Sequence, residues 1–503
     1  MAFKIYELSE IPYACKNFDI KINGMDVIPD TARVSAMPFN RRWPGHQRGI
    51  EQTELINFLS MAMDEPVTFE ITPKVPFNSV KIRPKRLGIT PDVKDGVIRF
   101  TLDKPAYFTV EPYGRHNALH VFADPMLDYG VDTHADNVLY FGKGYHEVGT
   151  IKMQSNQTLF LDEGAVVYAC IEAMDVDNIR ILGRGILDNS HNKEVIFYEA
   201  NAVANDSAVN NASRQHTIQL EYCNNVLIDG ITIRDSLVYN VRPIGCEKLT
   251  IKNVKIIGNW RYNSDGIDMH NCIDVLIENC FIRTFDDSIC VKGFDCYYEG
   301  DVEEAVKAAM YRNGKAYDVF KNVLVTGCTI WNDWGKCLEI GAETRAEEIC
   351  NIVFENCDII HSSGLALDCC NIDYADVHDL IYRDIYVDHD DEIPGGHLQL
   401  SDADRYEYHQ PQVNSRPCLL AAMVGYHHEY SAGGTRRGIN RDIVFENIHV
   451  YGDAPLLATF DGYTKEHQTK DVTIRNIYKN GKKVDPSEII IRKNEFTENI
   501  VVE

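Results

Sequence analysis

From about residue 137 onward one short unit recurs along the chain: apolar residues at alternate positions, then Asn or Gly, then a further apolar pair. It is explicit in Asn225-Val226-Leu227-Ile228-Asp229-Gly230-Ile231-Thr232-Ile233 and returns at 248–256, 274–282, 322–330, 351–359, 442–450 and 471–477. Val226 and Leu249 are 23 residues apart, Leu249 and Val275 are 26, and Val323–Ile352 and Ile443–Val472 are 29 each. A repeat of this length leaves too few residues for a helix in each unit. Strand-only units that stack on one another are the mark of a parallel β-helix. The Asn or Gly between strands has a physical role, because a two-residue corner needs a left-handed backbone and these two residue types tolerate it best. The same alignment brings Cys280, Cys328 and Cys357 to one inward position, where they should stack as buried, inert thiols.

Ahead of the repeat the texture differs. Residues 18–22, 67–71, 97–101 and 107–110 alternate or are β-branched, with Pro, Gly and Asp between them, which favours a small antiparallel sandwich. The expected architecture is all-β: an N-terminal β-sandwich over residues 1–120, then a right-handed parallel β-helix over 121–503. Two excursions interrupt the helix, near 294–320 and 389–440, and the first holds a helical stretch at 300–312. Long loops on a rigid solenoid commonly shape its binding face. In the sandwich, residues 39–48 gather three arginines, a Trp and a His; Arg42 and Trp43 are candidates for an arm over a substrate, the alternative being a polar surface loop.

Composition narrows the partners. The formal charge of −25 argues against nucleic acid and against an anionic membrane surface, both of which need clustered Lys and Arg. The first residues lack the basic and apolar segments of an export signal, and no apolar run is long enough to span a bilayer, so a cytoplasmic location is expected. The 15 cysteines then read as buried thiols, and the lack of any CxxC pair predicts no metal and no cofactor.

The chemistry concentrates in Asn263-Ser264-Asp265-Gly266-Ile267-Asp268 and its echo Phe285-Asp286-Asp287-Ser288-Ile289-Cys290. Neighbouring coils of a β-helix lie about 4.8 Å apart. Aligning Asp265-Gly266-Ile267 with Asp287-Ser288-Ile289 makes Asp265 and Asp287 stacked neighbours, with Asp286 beside them at the strand entry. Three acids this close repel, so at least one should hold a proton near neutral pH, as glycoside hydrolysis requires. Asp at turns, or a calcium site, is the structural alternative. The next coil places Lys336 over Asp287, either to bind a sugar hydroxyl or to neutralise the acids. The coil before offers Tyr239, Asn240 and Arg242 for substrate contacts.

At these residues the chain resembles the clan of inverting β-helix glycoside hydrolases, namely the polygalacturonase family (family 28) and the dextranase and isopullulanase family (family 49). Asn263-Ser264-Asp265-Gly266 is similar to the polygalacturonase Asn-Thr-Asp-Gly box. The stretch from Asp286 to Lys292 is similar to its Asp-Asp-Cys-Ile-Ala-Ile-Lys box. The resemblance implies Asp286 as general acid and Asp265 with Asp287 as the pair activating water; Asn263 and Lys292, within the two boxes, are candidate substrate-binding residues. Two departures stand out. The Gly-His-Gly box reads Gly335-Lys336-Cys337 here, and Leu365 to Cys370 stand where an Arg-x-Lys box grips the galacturonate carboxylate. The expected partner is therefore an oligosaccharide or polysaccharide, more suitably a neutral glycan than polygalacturonate, with a homo-oligomer left open. The alternatives are a β-helix polysaccharide lyase, a glycosyl transferase-type enzyme, or a non-catalytic glycan-binding module.

Overall fold

The computed structural model describes residues 3–7, 15–36, 39–41, 53–191, 215–261, 263–294, 310–389, 397–399, 418–427, 431 and 436–503. The N-terminal strands form two sheets, one of six strands and one of five. The strand Phe18–Ile22 alternates buried and exposed residues, as a half-buried strand must. Its inward Phe18, Ile20 and Ile22 meet Val67, Phe69, Ile71, Phe108 and Val121 in one core between the sheets. Phe69 stacks on Phe100 at 5.1 Å, and the edge of Phe108 packs against both rings. All four expected strands are present. One pairing departs from the antiparallel plan: Leu119–Pro125 runs parallel to Thr53–Met63.

The six-stranded sheet is apolar on both faces. Its outer face, with Ala32, Val34, Phe58 and Phe122, packs on Val166, Ile186, Phe281, Trp331 and Ile360 of the second unit.

That second unit is a parallel β-helix. From Val138–Phe141 to Thr497–Val502, 32 of the described strands join in one ladder. Successive coils pair parallel and in register: Val241 with Ile267, Ile267 with Ile289, Ile289 with Leu338, Leu338 with Leu367 and Leu367 with Leu420. These inward positions, with their counterparts on the other faces, make one continuous apolar core. The corners behave as expected: Asn279 and Asn356 have φ of 51° each and Gly327 has 68°. A second left-handed column runs through Asn225, Lys248, Asp274, Asn322 and Asn351, with φ between 53° and 60°. Its side-chain amides bond from coil to coil, Asn322 to Asp274 at 2.7 Å and Asn351 to Asn322 at 2.8 Å.

Cys280, Cys328 and Cys357 do stack, each thiol facing the next. A second thiol ladder, Cys223–Cys246–Cys272, lies at another inward corner. Of the stretch expected to be helical near 300–312, residues up to 309 fall outside the described residues, and Tyr311–Arg312 form a short strand with Lys315–Ala316. That stretch is inserted within one coil, since Ile273 pairs directly with Lys321.

Candidate active site

The acids arise at one corner of the helix, where the chain enters the face built from Val241–Ile244, Ile267–His270, Ile289–Lys292, Lys336–Ala342, Leu365–Asn371 and Cys418–Val424. The pairing of Ile267 with Ile289 aligns Asp265 with Asp287, and that of Ile289 with Leu338 aligns Asp287 with Lys336. The repeat therefore brings the carboxylates together as its spacing requires. Two glycines permit the approach. Gly266 donates its N–H to the Asp287 carbonyl at 2.8 Å. A Cβ on Gly335 would stand 2.5 Å from the Asp287 nitrogen and 2.6 Å from the Asp286 carbonyl carbon, so only glycine fits against the acid pair.

Backbone clamps aim the acids. Thr284 Oγ1 and Asn332 Nδ2 both donate to the Asp286 carbonyl at 2.7 Å. Asn240 donates to the Asp265 carbonyl twice, from Nδ2 at 2.7 Å and from its backbone N–H at 2.9 Å. With their carbonyls satisfied, the carboxyl groups project from the corner. Carboxylate oxygens of Asp265, Asp286 and Asp287 lie within 4.8 Å of one another. Asp265 is 1% exposed and Asp286 8%, while the Asp287 side chain is 17% exposed.

Electrostatics follow from this crowding. Burial, then the charges of Asp268 and Asp286, push the Asp265 carboxyl well above the usual carboxylate range. Burial, then Asp287, does the same to Asp286. Lys292 is the internal counter-charge: its Nζ is 2.8 Å from Asp268 Oδ2, 3.4 Å from Asp265, 3.7 Å from Asp287 and 3.9 Å from Glu343. Burial alone would lower its pKa, but these carboxylates and the Tyr239 ring 5.4 Å away hold it well above normal. Lys292 thus lies beneath the acids. A hard cation held by the three aspartates would have to share that space.

Lys336 is divided between two tasks. Its backbone N–H donates to Asp287 Oδ1 at 2.9 Å. Its ammonium turns away, to Glu339 and to Asp368 Oδ2, the latter at 2.9 Å. Burial, outweighing the nearby Lys336 ammonium, pushes Glu339 well above the carboxylate range and Asp368 above it. Tyr239 is buried, with Arg242 5.9 Å from its ring and the His216 ring tilted against it at 4.8 Å. Asn263 takes a left-handed φ of 55° at the entry to the first box. Arg42 and Trp43 lie outside the described residues, but the preceding strand Phe39–Arg41 pairs with His397–Gln399. That partner belongs to the excursion that leaves before Cys418–Val424, three coils beyond Asp287 along the same corner.

Sequence reasoning missed Asp268, Glu339, Glu343 and Asp368. Three of them form a single column, Asp268 to Cys290 to Glu339 to Asp368, by direct strand pairing. Extending the alignment used for Asp265 and Asp287 by three positions would have found it.

Residues 143–389, which include every one of these acids, match the family model described as glycosyl hydrolases family 28. That likeness covers just under half of this chain. Among curated proteins, a probable polygalacturonase of Vitis vinifera is 33% identical over 87 residues, which are 17% of this chain and 18% of that protein. A polygalacturonase of Gossypium barbadense is 28% identical over 144 residues, covering 28% of this chain and 33% of the relative. The chain therefore spans a third or less of the length of these relatives. Among solved structures, Dex49A from Penicillium minioluteum superposes with a TM-score of 0.53 at 13% identity, over 96% of this chain and 93% of that one. That likeness concerns the fold. It extends over the sandwich as well as the helix.

Proposed function

We propose that the protein is a glycosidase that hydrolyses an oligosaccharide or polysaccharide with inversion at the anomeric carbon. One observation carries the reading: three carboxyl groups within 4.8 Å of one another, two of them driven toward the protonated form by burial and mutual repulsion. Asp286 acts as general acid and gives its proton to the glycosidic oxygen as the bond to the anomeric carbon breaks. Asp265 and Asp287 hold a water and take its proton as its oxygen bonds to that carbon. The proton gained by the pair and the one lost by Asp286 restore the site through solvent. Asp287 suits the basic role because the Lys336 N–H and the Lys292 ammonium stabilise its charge. The family 28 match supports inversion.

A neutral sugar fits the reacting position better than a uronate. The ammonium of Lys336 is already satisfied by Glu339 and Asp368, and Lys292 is surrounded by carboxylates. Leu365 aligns with Lys336, so the following coil presents an aliphatic residue and Asp368 instead of paired cations. The same contacts disfavour a lyase, in which Lys336 would have to act as a free base. Asp286→Asn tests the proposal: turnover of a neutral oligosaccharide is expected to be lost while the melting temperature is kept. Undiminished turnover would reject the assignment, and faster cleavage of polygalacturonate than of neutral glycans would reject the substrate class alone.

A further inference from the structure

A second group of reactive side chains lies on a different face of the helix. The strands Glu348–Glu355 and Asp376–Arg383 are adjacent and parallel, and Cys350 and His378 are direct partners across them. Glu348 precedes Cys350 by two residues and so shares its side of the strand. A carboxylate oxygen of Glu348, Sγ of Cys350 and a ring nitrogen of His378 lie within 4.8 Å of one another. His378 Nε2 is 2.8 Å from Glu348 Oε1, and Nδ1 is 2.8 Å from Asp379 Oδ2.

We propose that Glu348, Cys350 and His378 form a binding site for a borderline divalent cation of the zinc class. The donor set is the first reason: a thiolate, an imidazole and a carboxylate together suit zinc, whereas calcium and magnesium take oxygen alone. The outer shell is the second. Metal-bound histidines commonly give their other ring N–H to a carboxylate, which fixes the tautomer, and Asp379 is placed to receive it. Geometry is the third. Bonds of about 2.0–2.3 Å in a tetrahedral site set donors about 3.2–3.8 Å apart, so side-chain rotations of roughly 1 Å close the site. Arg441, the nearby guanidinium, is occupied by Asp376 through two contacts of 3.0 Å and by Asp442 at 2.8 Å. The ion would link two successive coils and keep a fourth position open to solvent. The two soft donors are one coil apart in sequence, which is why no CxxC-type motif announces them.

The test uses the full chain and Co²⁺ as the spectroscopic probe. One equivalent should give a thiolate-to-cobalt charge-transfer band that Zn²⁺ displaces. Cys350→Ser and His378→Gln should each abolish it, and Asp379→Asn should weaken affinity about 10–100-fold. No band in the native protein, or a band that survives in either ligand variant, overturns the site. Should a variant fail to fold, zinc-edge X-ray absorption of the unaltered protein decides: one sulfur at about 2.3 Å is expected, and a shell of nitrogen and oxygen alone rejects the proposal. Turnover of glycans is expected to be the same with and without the ion.

Discussion

Asp286 is fixed through its backbone carbonyl, and its carboxyl accepts the Asp287 N–H at 3.1 Å, a contact that an amide oxygen in its place could also accept. Its carbonyl takes two hydrogen bonds, from Thr284 and Asn332, whereas the side chain is crowded by Asp287. Asn at this position keeps the shape and the neutral charge that burial favours. Asp286→Asn should therefore lower kcat about 10²–10⁴-fold, the usual worth of a general acid, with a melting temperature equal to or above that of the parent. The sign of the pH dependence follows. A carboxyl raised above its unfolded value contributes stability below that ordinary range and loses it as pH rises through the folded pKa. Activity that depends on protonated Asp286 should fall on the alkaline side, and in Asp286→Asn the residual rate should lose that limb. A pH–rate profile of both proteins checks this. Gly335→Ala tests the other constraint. Its Cβ would meet Asp286 and Asp287 at 2.5–2.6 Å, so the acids must shift, and a displacement near 1 Å costs about 10²-fold in kcat.

Each coil is a unit of three short strands and two or three corners, and most of what could be read from the sequence belongs to this scale. Alternating apolar residues and a repeat of 23 to 29 residues gave the strands, the stacked thiols at Cys280, Cys328 and Cys357, and the adjacency of Asp265, Asp287 and Lys336. What escaped was whatever depends on where a side chain turns after the backbone is placed. Lys336 stands over Asp287 as its position requires, yet its ammonium leaves for Glu339 and Asp368, and no alignment of letters contains that choice. Lys248 shows the limit in another way. It occupies a left-handed corner at φ 54° between Asn225 and Asp274 in the same column, although a lysine Cβ disfavours that conformation. Because Lys248 is exposed, Lys248→Asn should restore the column and stabilise the protein by about 0.5–1 kcal/mol. A higher urea midpoint at unchanged slope would show it.

At the scale of the whole molecule, the sandwich is joined to the helix by buried ion pairs that no sequence pattern could announce. Arg83 meets Glu111 at 3.1 Å and Asp388, 305 residues away, at 2.7 Å. Lys255 meets Asp124 at 3.0 Å, and Arg234 meets Asp30 at 3.1 Å. Arg115 of the sandwich reaches Asp333, which also binds Arg283 at 3.2 Å. Asp333 and Arg283 each stand three residues before a site residue, Lys336 and Asp286, so the docked sandwich steadies both segments that build the acid corner. Burial alone would raise Glu111, but His361 and Arg83 outweigh it and bring its pKa down to about 2. Its contribution is present above the unfolded value near 4.5 and lost as pH falls toward about 2. Glu111→Gln should accordingly cost about 3–5 kcal/mol at pH 7, and the gap to the parent protein should close in that acid window, as denaturant unfolding at several pH values would reveal. The central claim remains the chemistry at the acid corner. It is tested most directly by following the first sugar released from neutral oligosaccharides by proton NMR, with Asp286→Asn in parallel. Release of the inverted anomer by the native protein, and none by the variant, is expected. A retained anomer, an unsaturated product, or equal release by the variant would contradict it.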